Sequence, residues 1–131
     1  NNIVHRDIKP ENVLLDSKNN QTVKLIDFGS SEVLEKGKIL RDITGTAYYI
    51  APDILNQEYN EKCDVWSLGV IMYILLSGKP PFEGANDKEI LRKIKVGNVE
   101  YGQEFSKISR EGIDLLKKML KYEPNDRISA K

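Results

Sequence analysis

Two short strings hold residues whose types and spacing could do chemistry. The first runs His5-Arg6-Asp7-Ile8-Lys9-Pro10-Glu11-Asn12, and the second is Asp27-Phe28-Gly29. Asp7 offers a carboxylate that can accept a proton from a hydroxyl. Lys9, two residues later, can project beside it and neutralise charge on a phosphate. Asn12 offers a neutral oxygen and Asp27 an anionic one, the hard donors that magnesium takes alongside waters and substrate phosphates. Gly29 permits the backbone turn that follows Asp27. The chemistry open to this set is phosphoryl transfer to a hydroxyl, which needs alignment, charge neutralisation and a proton acceptor more than covalent help. The chain begins four residues before His5, so no Gly-rich phosphate loop and no strand lysine precede the first string. The expectation is that the chain by itself holds half a site and does no chemistry.

The elements that must position these residues are short. Val13-Leu14-Leu15 and Val23-Lys24-Leu25-Ile26 are apolar runs around the polar cluster Asp16-Ser17-Lys18-Asn19-Asn20-Gln21. They predict a hairpin carrying the two strings at its ends. Ile3-Val4 predicts a strand stub. Residues 30–50 have no clean period and carry Gly37 and Gly45, which predicts an extended functional loop. Pro52 keeps Ala51 out of a helix. Lys62 to Ser77 is apolar almost all round and predicts a buried central helix, stopped by Gly78-Lys79-Pro80-Pro81-Phe82. Asn86 to Val96 predicts an amphipathic helix with Asn86 as N-cap, Glu89 in a variant capping box, and Ile90, Leu91 and Ile94 on its apolar face. Arg110 to Leu120, capped by Ser109, predicts another with Ile113, Leu116 and Leu120 on one stripe, and Pro124 ends that unit. The predicted fold class is α+β, mainly α, with a short β-hairpin carrying the catalytic and magnesium residues.

Composition narrows the function classes. At 131 residues the chain can build one domain with a real core. Twenty basic and twenty acidic side chains give zero net charge, which argues against a nucleic-acid surface. No apolar stretch approaches the ~20 residues that span a bilayer. The single cysteine, Cys63, cannot form an internal disulfide, which fits a reducing, intracellular and cytoplasmic setting. The abrupt start and the ending Arg127-Ile128-Ser129-Ala130-Lys131 read as a piece of a larger protein.

The two strings resemble the catalytic loop and the Asp-Phe-Gly motif of protein kinases, with Ile8 in place of leucine. Lys9-Pro10-Glu11-Asn12 resembles the serine/threonine class. Ala51-Pro52-Asp53 stands where kinases carry Ala-Pro-Glu, and Asp64-Val65-Trp66-Ser67-Leu68-Gly69 resembles the start of the central helix of the large lobe. Arg127 resembles the arginine that pairs with the Ala-Pro-Glu acid. Gly45-Thr46-Ala47-Tyr48-Tyr49-Ile50-Ala51-Pro52 and Tyr73-Ile74-Leu75-Leu76-Ser77-Gly78-Lys79-Pro80-Pro81-Phe82 are similar to the calmodulin-dependent group. Asn60-Glu61-Lys62-Cys63-Asp64-Val65-Trp66-Ser67, together with Asp42, looks most like the calcium-dependent kinases of plants and protists.

The resemblance implies a set of roles. The whole of residues 1–131 would be a partial kinase domain, from the catalytic loop to the start of the last helices, with the small lobe absent. ATP would be the co-substrate, Mg²⁺ would sit on Asn12 and Asp27, and Asp7, Lys9 and Thr46 would be catalytic. His5 and Asp64 would hold the catalytic-loop backbone. Asp42 falls where many kinases carry a phosphothreonine, and would pair permanently with Arg6, so that no activating phosphate is needed. Thr44 is a second phosphosite candidate. Asp53 is one methylene shorter than glutamate, so its pairing with Arg127 would be closer or water-bridged. Glu11 would meet a basic residue of a Ser/Thr-containing protein substrate. No EF-hand loop is present in the sequence, so calcium would act only through regions absent from this chain. A silent binding or scaffold module is the alternative reading. Removing the preceding segments would expose apolar surface on the central helix and favour self-association.

Overall fold

A computed structural model describes residues 2–16 and 22–130. Strands β1 (Ile3–Val4), β2 (Val13–Leu15), β3 (Val23–Leu25) and β4 (Glu32–Val33) precede helices α1 (Pro52–Leu55), α2 (Lys62–Ser77), α3 (Asp87–Val96) and α4 (Arg110–Met119). Short 3₁₀ turns at Pro10–Asn12 and Gln103–Phe105 complete the elements among the described residues.

The predicted hairpin forms. β2 and β3 run antiparallel, with Val13 opposite Leu25, Leu14 opposite Lys24 and Leu15 opposite Val23. One step beyond that ladder the Ile26 N–H donates to the Asn12 carbonyl at 3.0 Å. That register delivers Asp27 to the side of Asn12. The turn joining the strands lies, over residues 17–21, outside the described residues.

The stretch 30–50 is more ordered than its sequence predicts. β4 lies inside it and pairs antiparallel with β1, Ile3 opposite Val33 and Val4 opposite Glu32. Leu40 and Tyr59 form a separate antiparallel bridge. Two-residue strands and single bridges leave no readable period, because their pairing partners are distant in sequence. α1 follows at once, with all four of its residues buried and Pro52 at its first position.

α2 is the central helix. Trp66, Val70 and Tyr73 are buried on it, in one core with Ile54, Phe82, Ile90, Ile94, Phe105 and Leu116. Trp66 stacks with Phe82, and Tyr73 meets Phe105 edge-on. α2 and α4 pack closely because Gly69 has no side chain: a Cβ there would stand 2.9 Å from Leu120 Cδ2. Leu68 and Leu75 break the all-buried expectation, at 39% and 79% exposed. The helix ends at Gly78 in the left-handed conformation.

The helix boundaries match the expected caps. Asn86 Oδ1 accepts from the Glu89 N–H at 3.0 Å, and the Glu89 carboxylate accepts from the Ala85 N–H, one residue before the cap. Ser109 Oγ accepts from the Gly112 N–H at 3.1 Å, and α4 closes with Leu120 as its C-cap.

Candidate active site

Asp7, Lys9 and Thr46 close a triangle of polar contacts. The Thr46 hydroxyl donates to Asp7 Oδ1 at 2.8 Å. Lys9 Nζ lies 3.0 Å from Asp7 Oδ2 and donates to Thr46 Oγ1, also at 3.0 Å. Burial pushes the Asp7 carboxyl upward, but the hydrogen bonds from Thr46 and Lys9 outweigh it and hold its pKa below the usual carboxylate value. The bond to Asp7 raises the pKa of Lys9, and the charges of Glu11 and Asp27 add to the effect. Asp7 is thus an oriented carboxylate, and Lys9 stays charged.

Asn12 sits at the end of the Pro10–Asn12 turn and is buried. Its amide nitrogen donates to the Asp7 carbonyl at 2.8 Å. The oxygen is therefore the donor the amide can offer a cation. Asp27 is exposed, and its Oδ1 accepts from the Gly29 N–H at 3.2 Å. One amide oxygen and one carboxylate, beside the charged Lys9, are hard oxygen donors. They fit Mg²⁺, which takes few protein ligands and fills its shell with waters and substrate phosphates.

The backbone here is strained at two points. Arg6 and Asp27 have φ of 68° and 61°, a region non-glycine residues seldom adopt. Asp64, in the first turn of α2, spans the first of these sites: Oδ2 accepts from the His5 N–H at 2.7 Å and Oδ1 from the Arg6 N–H at 2.9 Å. Burial raises the Asp64 pKa, and the two amides only partly oppose it. His5 Nε2 lies 3.0 Å from the Ile26 carbonyl, and the Asp7 N–H donates to Nδ1. Those partners place the ring proton on Nε2, so His5 braces the backbone between the two strings. Its ring also meets Phe28 edge-on at 5.0 Å.

Among the described residues Arg6 reaches four groups. Nε donates to the Ser30 carbonyl, and one terminal nitrogen donates to the Tyr59 hydroxyl at 3.3 Å. The carboxylates of Glu32 and Asp42 each stand 3.8 Å away. Asp42 therefore meets Arg6 at the long end of ion-pair distance, with its side chain 87% exposed. No motif in the sequence marks Glu32 or Tyr59 as partners of Arg6. They reach Arg6 only through the β1–β4 pairing and the Leu40–Tyr59 bridge. Gly45 lies close by: its φ is 115°, and a Cβ there would stand 3.1 Å from the Arg6 carbonyl.

Asp53 and Arg127 work elsewhere in the fold. Both are buried, and Arg127 Nη2 contacts Asp53 Oδ1 directly at 2.8 Å. The guanidinium also donates to the carbonyls of Lys62, Lys121 and Tyr122. It lies 5.2 Å over the Trp66 ring. The shorter acid reaches with one oxygen, and Asp53 Oδ2 is buried without a hydrogen-bond partner among the described residues. Glu11 is exposed on the Pro10–Asn12 turn. Burial pushes the Tyr49 phenol up, and the charge of Glu11 adds to it.

Comparison with known proteins gives a consistent answer. The description "Protein kinase domain" belongs to the family profile that matches residues 1–131. Calcium-dependent protein kinase 4 of Plasmodium berghei (strain Anka) is 54% identical over 134 residues, covering 100% of this chain and 25% of that protein. Its counterpart in Plasmodium falciparum (isolate 3D7) gives the same figures. Calcium-dependent protein kinase 21 of Arabidopsis thaliana is 48% identical over 130 residues, covering 98% of this chain and 24% of its own length. The chain thus spans about a quarter of the length of the curated relatives it matches.

Proposed function

Because this chain belongs to the protein kinase domain family, we propose that the full-length protein carrying it is a serine/threonine kinase, moving the terminal phosphoryl group of ATP to protein hydroxyls. The observation that carries this reading is the closed Asp7–Thr46–Lys9 triangle. It leaves a carboxylate aimed and ionised beside a fixed positive charge. Asp7 accepts the proton of the substrate hydroxyl. The Lys9 ammonium faces negative charge on the transferred phosphate. Thr46 fixes the rotamer of Asp7 and lines the place where a hydroxyl acceptor enters. Asn12 and Asp27 would hold Mg²⁺, which supplies charge neutralisation on the nucleotide phosphates when bound.

Further roles belong to the same proposal. Residues 1–131 form part of a kinase domain whose ATP-cradling part lies outside the chain, so the chain alone is inactive. Exposed Glu11 selects substrates with a basic residue near the acceptor. Asp42 adds negative charge near Arg6 without phosphorylation. Calcium dependence, carried in the names of the relatives, would come to the full-length protein through other segments. No helix among the described residues is long and apolar enough to cross a membrane. The buried, free Cys63 supports an intracellular, cytoplasmic setting.

The test is an assay with Mg-ATP and a basic serine peptide, run on this chain and on the full-length protein. Phosphorylation by the full-length protein alone is the expected result. An inactive full-length protein would return the chain to the class of binding modules. Activity in the chain alone would overturn its assignment as half a site.

A further inference from the structure

Arg6 is next to the base and has a nearly buried side chain, 11% exposed, so its N–H groups need fixed acceptors. Its two carboxylate neighbours are distant at 3.8 Å, and that of Asp42 is open to water. An exposed pair of this kind is screened and weak. The Tyr59 hydroxyl is differently placed. Tyr59 is buried, accepts from Arg6 at 3.3 Å, and donates to the main-chain carbonyl of Asp42 at 2.9 Å. Burial pushes its phenol pKa up, so the hydroxyl keeps its proton and can donate. Its backbone is tied to the same loop, since Leu40 and Tyr59 exchange main-chain hydrogen bonds of 3.0 and 3.1 Å.

We propose that Tyr59 is a positioning residue for phosphoryl transfer: its hydroxyl joins the Arg6 guanidinium to the main chain at Asp42, and this link holds the loop against the catalytic turn. The proposal rests on the kinase reading above and deepens it. The link uses a backbone carbonyl, so it is independent of the charge on the loop side chain. Being buried, it is also insensitive to salt. The Asp42 carboxylate supplements it and does not replace it.

The experiment uses the full-length protein with Mg-ATP and a basic serine peptide, comparing wild type, Tyr59→Phe and Asp42→Asn. Tyr59→Phe removes one oxygen. It should lower kcat per folded molecule by about tenfold, with the KM for ATP changed by less than about twofold. Asp42→Asn keeps the carbonyl and should cost less. A merely structural tyrosine would lower the melting temperature and leave kcat per folded molecule alone. The second measurement is trypsin cleavage after exposed Arg41, which should be faster in Tyr59→Phe and should respond to salt equally in wild type and Asp42→Asn, since the Arg41–Glu58 pair is common to both. This readout is independent of kinase activity, so an inactive wild type would sink the function and leave the coupling still decided. Wild-type kcat and cleavage in Tyr59→Phe, or a larger loss in Asp42→Asn, would overturn the proposal. If Tyr59→Phe does not fold, the paired salt series decides: acceleration with salt that is present in wild type and lost in Asp42→Asn assigns the loop to the exposed Asp42 pair and overturns the proposal.

Discussion

The Asp7 carboxylate takes close contacts from Thr46 and Lys9 and a longer one, 3.4 Å, from the Asn12 amide, and its proton affinity records the close ones. Thr46 and Lys9 hold its pKa below the ordinary carboxylate value of ~3.9 against the opposing effect of burial. Stabilisation from a depressed acid is complete above its unfolded pKa and is lost as pH falls through the folded value. Thr46→Val removes one donor to the ionised form, so the folded pKa of Asp7 rises. The acid limb of the kcat/KM profile should move to higher pH, and kcat should fall by about ten- to a hundredfold. A pH–rate series on the full-length protein checks both. An unmoved acid limb would remove Thr46 from the account. At this scale the sequence was legible where the residues sit in one short string, as Asp7, Lys9 and Asn12 do. Glu32 and Tyr59 were not legible. They are 26 and 53 residues from Arg6, and no local pattern marks them.

At the scale of elements, two close approaches govern how the site is held. β2 and β3 set the register that brings Asp27 to Asn12, and α2 presents Asp64 to the strained turn at Arg6. The position of α2 in turn depends on Gly69, where α4 leaves no room for a Cβ. Gly69→Ala should therefore destabilise the fold by about 1–3 kcal/mol, read as a lower denaturant midpoint. A midpoint equal to wild type would mean that the α2–α4 contact yields freely. The helices were legible because their apolar periods and caps are local: Asn86 and Ser109 cap where their side chains predict. β4 and the Leu40–Tyr59 bridge were hidden because each pairs with a distant segment.

At the scale of the molecule, one buried ion pair ties α1 to the start of α2 and to the segment after α4. Arg127 contacts Asp53 and three backbone carbonyls, so removing either partner strands the other without water. Arg127→Ala should cost about 3–5 kcal/mol in denaturant unfolding, and a cost under about 1 kcal/mol would contradict that role. The apolar surface tells a different story. Leu68 and Leu75 on α2, with Leu14, Leu15 and Val23 on the hairpin, face outward. The isolated chain should therefore self-associate, and light scattering that reports a clean monomer would count against it. The family assignment was legible from the ordered motifs, whereas this outward face depends on which neighbours a helix has, which its own sequence does not encode. The proposed chemistry turns on the Asp7 carboxylate. Asp7→Asn keeps the size of the side chain and removes the proposed base. In the full-length protein with Mg-ATP and peptide it should lower kcat by at least about a hundredfold while ATP binding persists. An Asp7→Asn protein that phosphorylates peptide at the wild-type rate would contradict the account.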